Sequence, residues 1–129
     1  MEKPTKKDKE EKRKQQIREI LDKTMELRDL ILNSEDYIRY RKELETLKES
    51  EKTYRRLNEF RRKNIDIQLL EDESRSDELA RELYSEYSDV LNLPLVERFM
   101  ITEQTICKTM RKVQNQVFDG IDLDISYMD

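Results

Sequence analysis

The sequence predicts an all-α protein: an elongated antiparallel bundle of about four to five helices, with long third and last helices, that associates with further copies. Three observations carry this. Between Leu95 and Ile121 the residues Val96, Phe99, Ile106, Met110, Val113, Val117 and Ile121 recur at steps of three, four and seven, with Glu103 the one charged member of the series. That spacing is one stripe of a long helix. A single glycine, Gly120, and two prolines, Pro4 and Pro94, leave few places for the tight turns of a sheet protein. Charged residues make up 43% of the chain and apolar ones 35%, against about 25% and 45–50% in an average globular protein. Leu, Ile, Val and Phe still account for about a quarter of the chain, above the ~20% level under which disorder is expected. The core is thin, and a thin core favours association.

Taken in order, residues 1–14 are nearly all charged and read as a frayed helix or disordered tail. A first helix takes shape at Gln15, where Ile17, Ile20, Leu21, Thr24, Leu27, Leu30 and Ile31 recur at helical spacing. It should end near Asn33, because Ser34 followed by Glu35 and Asp36 is a cap with acids in the next first turn. The second helix then runs to about Lys48 and buries Tyr37, Ile38, Tyr40, Leu44 and Leu47. Ser50 caps a third, whose stripe is Tyr54, Leu57, Phe60, Ile65, Ile67 and Leu70. The stretch from Glu71 to Glu78 has no apolar residue, and neither Gly nor Pro forces a break there. The favoured reading is one long helix with a solvated or kinked middle that resumes at Leu79, Leu83, Tyr84, Tyr87, Val90 and Leu91. The other is two helices with Ser74 or Ser76 as a cap. Asn92 and Pro94 mark the boundary of the last helix, since proline is tolerated in a first turn. The division is thus a tail at 1–14, a bundle domain at 15–121 and an acidic tail at 122–129.

No run of ~18 apolar residues offers a transmembrane helix, and the basic N-terminus lacks the apolar core of a signal peptide. A cytoplasmic protein is expected. Its net charge of −4 conceals net charges of +3 over 1–19, −3 over 20–38, +5 over 39–63 and −9 over 64–129. Opposite segments can attract within or between chains, although exposed pairs contribute only about 0–1 kcal/mol each.

Chemistry has little material. The chain has no histidine, hence no side chain whose ordinary pKa suits a general base near neutrality. Cys107, beside Ile106 and one turn before Met110, reads as a buried inert thiol. There is no phosphate-binding glycine loop and no metal-ligand spacing, so no catalytic residue, metal or cofactor is expected. A small helical enzyme of the chorismate mutase type would use convergent Arg and Lys, and no convergent set is visible. Two surfaces remain. Leu57, Phe60, Leu83, Tyr87, Val96, Phe99, Ile106, Met110, Val113 and Val117 form the expected partner or oligomer interface. Arg55, Arg56, Arg61, Arg62 and Lys63, with Tyr54 and Phe60 interleaved, form the alternative, a basic strip for nucleic acid.

Several of these pieces occur together in a known order. A helix ends in Leu30-Ile31-Leu32-Asn33-Ser34-Glu35-Asp36-Tyr37, then come Tyr40, Arg41 and Lys42, then Leu57 and Phe60 inside a charged helix. Last is Asn92-Leu93-Pro94-Leu95-Val96-Glu97-Arg98-Phe99, opening a closing helix with Gln104, Val113 and Val117. Over about residues 15–121 the chain resembles the YlbF/YmcA family of small helical bacterial proteins. The resemblance implies an all-α bundle that self-associates or pairs with a paralogous helical subunit. It also implies an accessory factor supporting RNA processing by the endoribonuclease RNase Y, with effects on competence, sporulation and biofilm development. Some members bind iron–sulfur clusters through cysteines in a C-terminal tail. Here the tail from Asp122 has no cysteine, and no cluster ligands are carried over. The expected function is therefore a non-enzymatic regulatory adaptor, with an RNA-associated factor as the alternative.

Overall fold

Capping residues set the order of elements along this chain. The computed structural model describes residues 2–128; Met1 and Asp129, the outermost residues of the two expected tails, lie outside the described residues. Among the described residues there are six α-helices, α1 Lys6–Leu32, α2 Glu35–Glu49, α3 Glu51–Gln68, α4 Glu73–Glu86, α5 Ser88–Leu91 and α6 Pro94–Phe118, and a 3-10 turn at Ser126–Met128. No strand occurs among them. The all-α class is the one expected.

The chain forms two units, Met1–Ile38 and Arg39–Asp129. In the first, α1 starts at Lys6 rather than at Gln15. The cause is a capping box: Thr5 Oγ1 accepts from the Asp8 N–H at 3.1 Å, and the Asp8 carboxylate accepts from the Thr5 N–H at 3.0 Å. Reciprocal bonds of this kind satisfy orphan donors without any apolar face, so periodicity alone misses the helix start. Hydrogen bonding from the Thr5 backbone N–H, and then from its side chain, holds the Asp8 carboxyl below the usual aspartate range. The helix closes at Asn33, whose side chain donates to the Asp29 carbonyl at 2.7 Å. Ser34 then accepts from the Tyr37 N–H at 3.3 Å and opens α2, as its position suggested. No residue of α1 is buried.

In the second unit, the stretch read as one long helix is two. Leu69 and Leu70 bond back into α3, and Asp72 accepts from the Arg75 N–H at 3.2 Å to start α4. Ser76 donates to the Ile67 carbonyl at 3.1 Å, tying the new helix to the end of the old one. The break therefore needs neither Gly nor Pro. A cap at Asp72 suffices, two and four residues before Ser74 and Ser76, the serines considered for that role. α3 and α4 run antiparallel: Ile67 meets Ser76 at one end, and Arg56 meets Asp89, just beyond α4, at the other. Ser50 occupies the cap position of α3 but its hydroxyl makes no capping bond. Pro94 stands at the start of α6, where its missing N–H costs nothing.

The core lies in this unit. Leu47, Leu57, Phe60, Leu83, Tyr87, Val90, Val96 and Phe99 form one buried cluster, with Tyr40, Leu44, Tyr54 and Ile67 packed against it. The Phe60 ring meets Tyr84 edge-on at 5.1 Å and Tyr87 at 5.9 Å, and Tyr40 stacks on Phe99 at 5.9 Å. Such pairs add about 0.5–1.5 kcal/mol beyond their burial. An ion pair from Arg98 of α6 to Glu43 of α2, 3.8 Å, brackets the Tyr40–Phe99 contact.

Candidate protein-interaction surfaces

The ten apolar positions expected at an interface divide in two. Leu57, Phe60, Leu83, Tyr87, Val96, Phe99 and Ile106 are buried within the chain itself. Their first role is packing: they hold α6 against α2, α3 and α5. Met110 and Val117 are 45% and 48% exposed, and Val113 is half-buried. Past Ile106 no described residue is buried. The stripe of α6 therefore runs on beyond the core that covers its first half. Sequence periodicity is the same along the whole stripe and does not distinguish the halves.

Cys107 corrects an expectation, because its thiol is exposed. It sits next to buried Ile106, and one residue along a helix turns the side chain by about 100°. The position lies on the edge of the stripe, beside the shallow depression lined by Met100, Ile101, Glu103 and Gln104. No group of three or more Cys, Asp or Glu side chains among the described residues is arranged to hold a metal ion.

The five bases of α3 do not form one free strip. Arg56 donates to Asp89 at 2.9 Å and to the Glu86 carbonyl at 3.4 Å, with its guanidinium 4.7 Å from the centre of the Tyr87 ring. Hydrogen bonding to each other raises the pKa of Arg56 and lowers that of Asp89. Arg61 pairs with Glu103 and lies 5.5 Å from the centre of the Phe99 ring. Lys63 pairs with Glu86 at 3.7 Å and lies 5.1 Å from the centre of the Tyr87 ring. Arg55 and Arg62 are exposed and make no ion pair among the described residues. Seven positions apart, they share one side of α3 about 10 Å from each other. The interleaved rings are occupied too. Phe60 is core, and Tyr54 is half-buried with Lys48 Nζ 5.9 Å from its ring centre. Neither offers a free face on which a base could stack.

One surface went unread in the sequence. The apolar stripe read on the first helix is largely bare: Ile17, Ile20, Leu21 and Leu30 are all exposed, Leu30 by 71%. The available signal was the helix's high charge on every side but one. The C-terminal run is bare as well, with Phe118, Ile121, Leu123, Ile125 and Tyr127 exposed. No helix among the described residues is long and apolar enough to cross a membrane.

Residues 20–122 match the family model described as control of competence regulator ComK, YlbF/YmcA. No curated protein and no solved structure matches the chain.

Proposed function

The chain belongs to the YlbF/YmcA family, and from that premise we propose that it is a non-enzymatic regulatory adaptor, working through contacts with other protein subunits. The family's description is regulatory, the control of ComK. The finer reading is an accessory factor of an RNA-processing complex, cytoplasmic, with effects on competence or sporulation. Its partner is a second copy or a paralogous helical subunit.

One observation supports this above the others: the apolar stripe of α6 continues through Met110, Val113 and Val117 after the core has ended. An exposed stripe on a rigid helix is the usual preparation for helix-to-helix contact. The buried members of the stripe, from Val96 to Ile106, anchor it. The lack of histidine agrees with a role that needs no acid–base catalyst.

The test is capture of partners from native lysate with Val113→Glu and Val117→Glu against the unaltered protein. The reading requires that both variants keep their helical content and lose the partner. Undiminished capture would refute it.

A second reading, an RNA-associated factor, draws support from Arg55 and Arg62 alone, because Arg56, Arg61 and Lys63 already hold intrachain partners. Two phosphate contacts give a shallow salt dependence. RNA binding that weakens with salt and disappears in Arg55→Glu/Arg62→Glu would favour it over the adaptor.

A further inference from the structure

Where α3 and α4 run side by side they leave a groove that the core does not fill. Ile67, Leu79 and Leu83, buried or half-buried, form its floor; Asp66, Glu82 and Glu86 stand exposed along the rims with Lys63. On each helix these residues are three and four apart and so share one face. The volume is about 290 Å³, at the lower limit of the ~300–1,000 Å³ of sites that enclose a whole small molecule. It gives room to aliphatic side chains laid in from outside. Both ends are tied. Ser76 donates to the Ile67 carbonyl at 3.1 Å at one, and Lys63 pairs with Glu86 at 3.7 Å at the other. The walls are thus in position before a guest arrives, which lowers the cost of binding.

Charge states what fits. Lys63 is engaged with Glu86, whereas Asp66 on one wall and Glu82 on the other make no ion pair among the described residues. Acids on both walls repel phosphate, which rules out nucleic acid here. A second copy is also mismatched. The exposed apolar residues of this chain lie mostly on acidic segments, with net charges of −3 over 20–38 and −9 over 64–129, and would bring acid to acid. The matching guest is apolar along its middle and basic on both sides. We propose that the α3–α4 groove docks an amphipathic helix of a different protein. Its leucine-sized residues, one turn apart, lie over Leu79 and Leu83, and its lysines or arginines face Asp66 on one margin and Glu82 on the other. The site is distinct from the stripe of α6, and its test is independent of that one.

The experiment uses the full chain and a fluorescein-labelled helical peptide of about five turns, built of Ala with a stripe of Leu and Lys along both margins. Titration followed by polarisation should show binding at micromolar peptide. Asp66→Lys/Glu82→Lys should weaken it about tenfold at low salt. Asp119→Lys/Asp122→Lys, the same change of charge away from the groove, should leave it within about twofold. In the unaltered chain the peptide should shift the amide resonances of Ile67, Leu79 and Leu83 and leave those of Ile17 and Val117 in place. The proposal is overturned if the peptide does not bind, if its shifts fall elsewhere, or if the two double variants lose equally. Equal binding by a peptide with Ala in place of Leu would also overturn it, by reducing the contact to net charge. If Asp66→Lys/Glu82→Lys changes the sedimentation of the protein alone, the groove is a contact between copies and the proposal fails. Peptide binding retained in Val113→Glu and Val117→Glu, with lysate capture undiminished, would refute the α6 reading and leave this one standing. Capture lost in those variants, with no peptide binding by the unaltered chain, would do the reverse.

Discussion

Arg61 of α3 pairs with Glu103 of α6, its guanidinium lying over the ring of Phe99. Glu103 is the one charge in an otherwise apolar series, and this contact explains it. The carboxylate caps the edge of the core instead of interrupting it. The side chains are 32% and 21% exposed, so solvent weakens the pair without dissolving it. A double-mutant cycle of Arg61→Ala and Glu103→Ala, read by urea unfolding, should give a coupling of about 1–2 kcal/mol. Strict additivity would show that the two residues act separately.

Core and exposed members of the α6 series should behave oppositely. Phe99→Ala, which empties space against the Tyr40 ring, should cost about 3–5 kcal/mol in denaturant unfolding. Val117→Ala should change stability by under about 0.5 kcal/mol. If the two costs prove similar, the burial boundary near Ile106 is misplaced.

Acid should fray the start of α1. The Asp8 pKa is lowered by its bonds to Thr5, so the folded state favours the carboxylate. That contribution is present above the ordinary aspartate pKa of about 3.9 and disappears as pH falls through the lower folded value. Amide chemical shifts of Lys7 to Lys9 should therefore move toward coil values below about pH 4. In Thr5→Ala the shifts should start nearer to coil and respond less. A first turn unaffected down to pH 2 would exclude the capping box as its support.

The Cys107 thiol is exposed and should react with a thiol reagent in the native protein at a rate close to that in urea. Protection by orders of magnitude would mean that the surface is covered in solution. Protection that grows with protein concentration would assign the cover to a second copy.

The fold was legible where residues act through their neighbours in sequence. Ser34 and Pro94 opened helices where they stood, because caps and proline rings exert their effects within a turn. The break before α4 was not, since a solvated helix and a capped loop have the same polar composition, and Asp72 decides between them through one bond to Arg75. Legibility of the surfaces failed for a different reason. Arg56, Arg61 and Lys63 resemble Arg55 and Arg62 in sequence, but their partners Asp89, Glu103 and Glu86 stand far along the chain. The apolar stripe had the same limit: its period says which side of α6 is greasy, not where the neighbouring helices stop.

The absence of any buried residue in α1 has a consequence for the fate of the chain under digestion. Trypsin cuts best where backbone opens locally, and a helix held by its own ladder and one cap opens far more often than one packed into a core. With lysines and arginines from Lys6 to Arg28, the lone chain would be trimmed from its N-terminal side within minutes. A resistant fragment beginning near Arg39 would outlast it. Proteolysis in the cell would then act as a census, sparing the first thirty residues only in molecules that have found company.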